Sequence, residues 1–96
     1  MSIAERIEQK LRDALLPEQL QVIDDSDKHK GHGGWREGGE THFKVVVVSQ
    51  TFAGQSRVAR QQKIYQLLAE EMAERVHALQ LTCVTPEEAA AKPLPA

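Results

Sequence analysis

The sequence predicts an α+β domain: a three-stranded mixed sheet with two helices on one face. Three observations carry that prediction. Two segments show the helical apolar period, at residues 3–16 and 57–75. A run of four valines, Val45 to Val48, reads as a central strand. The order helix, strand, strand, helix, strand, helix then puts a crossover between the second and third strands.

Each element has a local cause. Ser2 and Glu5 form a capping box at the start of the first helix. Ile3, Ile7, Leu11 and Leu15 follow as one apolar stripe, with Ala4 and Ala14 beside it. Pro17 biases Leu16 away from helical backbone. Leu20, Val22 and Ile23 give a short strand ending at Asp24-Asp25. Residues 26–40 hold five glycines and no apolar period, so a mobile loop is expected there. Loops of that length in a small domain are usually functional or disordered. Residues 41–49, THFKVVVVS, form a strand buried on both faces, antiparallel to the first.

Ser56 is the N-cap of the second helix, whose core face is Ile64, Leu68 and Met72 with Tyr65 and Leu67 adjacent. Ala78, Leu79, Leu81 and Val84 mark a third strand near 78–84, parallel to the valine strand through a right-handed crossover. Thr85, Pro86 and Glu88 start a last helix of a turn or two. The other sheet face is left more open.

Ninety-six residues make one domain, expected over 1–90, with 91–96 as a flexible tail. A chain this size buries only roughly 60–65% of its unfolded surface, which disfavours a deep cavity. Hydrophobic residues at 41%, charged residues at 27% and a mean hydropathy of -0.45 fit a soluble globular domain. No apolar run is long enough to span a bilayer, and the start of the chain lacks a signal-peptide layout. One cysteine, Cys83, excludes an internal disulfide and a Cys-only metal site. A cytoplasmic location and no membrane partner are expected.

The net charge of -2 argues against a general nucleic-acid binder. Residues 26–60 are nevertheless mildly basic, with six Lys or Arg against three Asp or Glu. That island reads first as a solvated loop and helix start, an excess of three charges being a modest field.

Four histidines carry the possible metal chemistry: His29 and His32 in the loop, His42 at the start of the central strand, and His77 before the third. Parallel pairing of those two strands brings their starts, and the loop, to one edge of the sheet. Ordinary structural readings stand beside this one. His42 fits a strand-edge hydrogen bond, and His29 and His32 fit solvated loop residues. The tetrad Gly31-His32-Gly33-Gly34 matches a G-x-x-G nucleic-acid clamp only by composition, since it lies between strands. Cys83 reads as a buried small hydrophobe, and a Cys83–His77 nucleophile pair lacks a turn to display the thiol. Trp35 is an exposed aromatic by position.

The segment Thr41 to Ser49, then Phe52 to Arg60, Val76-His77-Ala78-Leu79 and Thr85-Pro86-Glu87-Glu88, resembles the BolA family. The resemblance extends from the first helix to Glu88. It implies an αββαβ core of class II KH-like type without the G-x-x-G clamp. It also implies a non-enzymatic protein that pairs with a monothiol glutaredoxin and shares a [2Fe–2S] cluster, in cluster assembly or transfer and iron regulation. The family's C-terminal ligand histidine falls on His77 and its loop ligand on His29, with His32 close enough to compete. Glutathione and a glutaredoxin cysteine would complete the four ligands, and the isolated chain would be a cofactor-free monomer or weak homodimer. Some members are described as DNA-binding transcriptional regulators. That alternative would use Lys28, Lys30, Lys44, Arg57 and Arg60. An Arg-His pair of the family reads Arg60-Gln61 here.

Overall fold

The computed structural model describes residues 1–26 and 39–92. His29, His32, Lys28, Lys30, Trp35, the glycine tetrad and the expected mobility of the loop fall outside the described residues, as do residues 93–96.

Helix α1 runs Ile3–Leu15 and opens on the Ser2–Glu5 capping box, with both reciprocal bonds formed. Ile3, Ile7, Leu11 and Leu15 are its buried residues. It ends at Leu16, which turns left-handed (φ 45°) while its N–H still bonds to Arg12 O. Strand β1 (Gln19–Asp24) pairs antiparallel with β2 (His42–Val48). A 3-10 turn, Gln50–Phe52, leads into α2 (Arg57–Leu67), which Ser56 caps through Ala59 N. Helix α3 (Ala69–Glu74) precedes β3 (Ala78–Val84), which pairs parallel with β2. Helix α4 (Pro86–Ala91) starts on a complete Thr85–Glu88 capping box.

The strand order β1-β2-β3 makes β2 central. Phe43, Val45 and Val47 point at the helices and join Ile7, Leu11, Phe52, Ile64 and Leu68 in the core. Val46 and Val48 face the opposite side and are also buried, at 2% and 1% exposure. Around them that face is open and polar: Gln19, Gln21 and Gln80 are exposed.

The expected single helix over 57–75 is two. Leu68 (φ -104°, ψ 19°) divides α2 from α3, although its N–H still reaches Ile64 O. In α3 Glu71 is fully buried, and Lys10 Nζ and Arg6 Nη2 both approach its carboxylate to 2.9 Å. A carboxylate is stable in such a place only when paired.

Candidate metal-ligand site

The β2–β3 register aligns His42 with Ala78, so His77 stands immediately before β3 and beside the start of β2. Thr41 O accepts from His77 N at 2.6 Å and from Ala78 N at 3.2 Å. The two imidazoles lie 5.4 Å apart between centroids, tilted by 50°. His77 is exposed, whereas His42 is only 6% exposed. Thr41 Oγ1 lies 2.9 Å from His42 Nδ1, which is the strand-edge hydrogen bond expected for His42. Four histidines were expected at one edge; two of them, His42 and His77, are described and meet there.

Both ends of the segment between β1 and β2 are tied down at the same place. Ser26 Oγ donates to Asp24 Oδ1 and accepts from Thr41 N (3.0 Å) and His42 N (3.2 Å). Asp24 Oδ1 also accepts from Ser26 N, and its Oδ2 from Glu40 N, each at 3.0 Å. Loss of hydration pushes the Asp24 carboxyl up, but the bonds from Ser26 and Glu40 and the charge of Arg75 together hold it below its ordinary value. Arg75 Nε donates to Gly39 O at 2.8 Å, and Glu40 Oε2 accepts from Ala4 N at 3.1 Å. Gly39 takes a left-handed φ of 74° that strains L side chains, and a Cβ there would stand 3.1 Å from Asp24 Oδ2, which would have to give by a few tenths of an ångström.

Sequence reasoning missed Asp24, Ser26, Thr41 and Arg75 as parts of this edge. The Asp-x-Ser spacing was one available signal, since an Asp side chain often accepts the N–H two residues on. Arg75 and Thr41 gain their roles only through the fold.

The other candidates lie elsewhere. Cys83 lies in β3, six residues beyond His77, which precedes that strand, and extended chain puts them roughly 20 Å apart, so the two form no nucleophile pair. Burial pushes its thiol up to about 11, with Arg60 offsetting this in part. Lys44 projects from the open sheet face between Ile23 and Gln80. Arg57 is exposed at the start of α2 and lines a shallow depression with Gln61 and β3 residues 81–84. Arg60 is committed within the domain, to Glu88, Cys83 O and Gln55 O. Among the described residues no cluster of three or more His, Cys, Asp or Glu is placed to hold a metal, and no helix is long and apolar enough to cross a membrane.

The fold and this edge define a class: a small mixed-sheet α+β domain that presents one histidine from the start of an edge strand, beside the anchored ends of a long connection. The family description "BolA-like protein" matches residues 11–88, and the chain belongs to the BolA family. It is 47% identical over 88 residues to the DNA-binding transcriptional regulator BolA of Escherichia coli (strain K12), covering 92% of this chain and 80% of that protein. The BolA domain of SufE1 from Arabidopsis thaliana superposes with a TM-score of 0.83 at 42% identity, covering 92% of this chain and 96% of that one. The solution structure of BolA1 from Mus musculus gives 0.81 at 35% identity, covering 99% and 74%.

Proposed function

We propose that this protein is a non-enzymatic partner of a monothiol glutaredoxin that contributes imidazole ligands to a shared [2Fe–2S] cluster, in cluster assembly or transfer and iron regulation. The observation that carries the reading is the placement of His77. It is exposed, fixed by its backbone to Thr41, and flanked by both anchors, Ser26 and Gly39, of the segment that carries His29 and His32. A residue three positions along the chain from Ser26 has a reach of about 11 Å, and one six along about 22 Å. Both His29 and His32 are therefore kept as the loop ligand.

The donor chemistry fits the group. Imidazole is an accepted ligand of [2Fe–2S] iron, and two imidazoles in place of thiolates leave less negative charge and a higher reduction potential. His77 offers a ring nitrogen from a fixed backbone, and Thr41 supplies that fixing. A glutaredoxin cysteine and glutathione supply the remaining ligands. The KH-like reading of the fold, supported by the αββαβ order, belongs to this proposal, as do a cytoplasmic location and a monomeric or weakly dimeric cofactor-free state. Co-expression with a monothiol glutaredoxin tests the reading. A coloured heterodimer with [2Fe–2S] absorption is expected. A colourless mixture under anaerobic reconstitution with iron, sulfide and glutathione overturns it.

A second reading is favoured by the name of the Escherichia coli relative, a DNA-binding transcriptional regulator. In that reading Lys28, Lys30, Lys44 and Arg57 contact phosphates, and Arg60 acts through the structure it holds. Duplex binding would weaken steeply with salt, through counterion release. Nanomolar binding to one specific duplex at physiological salt would place this reading first.

A further inference from the structure

The tied-down edge around Thr41 does more than hold the backbone. Ser26 Oγ gives its proton to Asp24 Oδ1, and two backbone N–H groups, of Thr41 and His42, approach its lone pairs. The Thr41 hydroxyl lies 3.3 Å from that crowded oxygen but 2.9 Å from His42 Nδ1. The shorter contact pairs the Thr41 hydroxyl with His42 Nδ1, and which of the two donates is set by the His42 tautomer. Thr41 is fully buried and His42 nearly so, which protects the bond from competing water. The held ring lies in tilted aromatic contact with His77, at 5.4 Å.

We propose that Thr41 and His42 are positioning residues for His77: the Thr41 hydroxyl fixes the His42 ring, and that ring is the wall that restricts the His77 imidazole. This rests on the reading of His77 as a cluster ligand. An exposed histidine without such a wall exchanges among staggered χ1 wells. With it, the ring nitrogen is presented in one direction, and less ordering remains for the moment of ligation. The asymmetry between the two histidines follows. His42 is enclosed and occupied through Nδ1, while His77 is accessible and oriented.

The test has one arm without any cluster. In the isolated protein, three-bond NMR couplings report the His77 χ1 populations, and long-range proton–nitrogen correlation reports the His42 tautomer. Wild type should show one dominant His77 rotamer and a single tautomer of His42. Thr41→Ser keeps the hydroxyl and should keep both. His42→Phe keeps the wall and should keep the rotamer. Thr41→Val and His42→Ala should each spread the His77 rotamers. In the second arm, glutaredoxin heterodimers of those two variants should release cluster to a chelator about tenfold faster, the lower end for losing an outer-shell partner. Rotamer populations unchanged in Thr41→Val and His42→Ala overturn the proposal. An averaged His77 in wild type also overturns it, even if neither variant folds. Failure of wild type to form any cluster would sink the ligand reading, while the first arm still decides the positioning.

Discussion

Arg60 and Glu88 form a 2.6 Å ion pair that ties the start of α2 to the short helix α4. The same guanidinium donates to Cys83 O and Gln55 O, each at 3.0 Å, and lies 5.8 Å from the Phe52 ring centroid. Hydrogen bonds from Arg60 and from the Thr85 backbone hold the Glu88 carboxyl down to about 2. One side chain thereby fastens the end of β3, the turn before α2 and the last helix.

Arg60 and Arg57 should therefore behave differently. Arg60→Ala should lower the thermal midpoint by about 5 °C, as a loss of about 1 kcal/mol does in a domain of this size. Arg57→Ala, at an exposed position, should stay within about 2–3 °C of wild type. Thermal denaturation of the two variants checks this. For DNA binding, Arg57→Ala and Lys44→Ala are the informative changes, each expected to reduce the salt slope by about one if it removes a phosphate contact. A loss of binding in Arg60→Ala reports on folding as well as charge.

Glu71 predicts an acid limb in the stability profile. Burial pushes its carboxyl up, but the hydrogen bond from Lys10 and the charges of Lys10 and Arg6 outweigh this and hold it below its ordinary 4.5. A depressed carboxyl stabilises the fold above its unfolded value, and that stabilisation is lost as pH falls through the folded value. Stability should thus hold from pH 7 to 5 and decline below about 4.5. Glu71→Gln should cost about 3 kcal/mol at pH 7 and converge on wild type in acid. Denaturant melts of both proteins at pH 7 and pH 3 measure the difference; parallel profiles would contradict the pairing.

Cys83 should be chemically quiet. With its thiol pushed up to about 11, only about one part in a thousand is thiolate at pH 8. Iodoacetamide should label it slowly in buffer and at the rate of a free thiol in urea. Fast stoichiometric labelling of the folded protein would reopen a nucleophilic role.

Gly39→Ala should loosen the edge that carries His77. The added Cβ meets Asp24 Oδ2 and the left-handed φ strains any L side chain. A loss of about 1–2 kcal/mol is expected, with faster amide exchange at Glu40 and Thr41. A stability equal to wild type would mean that this junction is not held as described.

What the sequence disclosed and what it withheld divide by range. The two capping boxes, the α1 stripe and the doubly buried valines were legible because their causes lie within a few residues of one another. The meeting of His42 and His77 was legible too, because parallel pairing across a crossover aligns the two strand starts. The burial of Glu71 was not, since the Lys10 and Arg6 that pair with it lie more than sixty residues away. Arg60 read as part of a basic island because its partner, Glu88, lies on another element. Thr41 read as a strand residue because its hydroxyl acquires meaning only from the register that delivers Ser26 and His42 to it.

The most direct measurement of the central claim is visible circular dichroism of the reconstituted heterodimer with a monothiol glutaredoxin and glutathione, compared between wild type and His77→Ala. His77 is held to Thr41 through its own backbone N–H, so the variant leaves that anchor in place and removes only the imidazole. The account predicts that His77→Ala loses most of the cluster signal or changes its sign pattern, and that His29→Ala changes it less because His32 can substitute. A His77→Ala spectrum identical to wild type, at equal cluster content, would contradict the assignment of His77 as ligand.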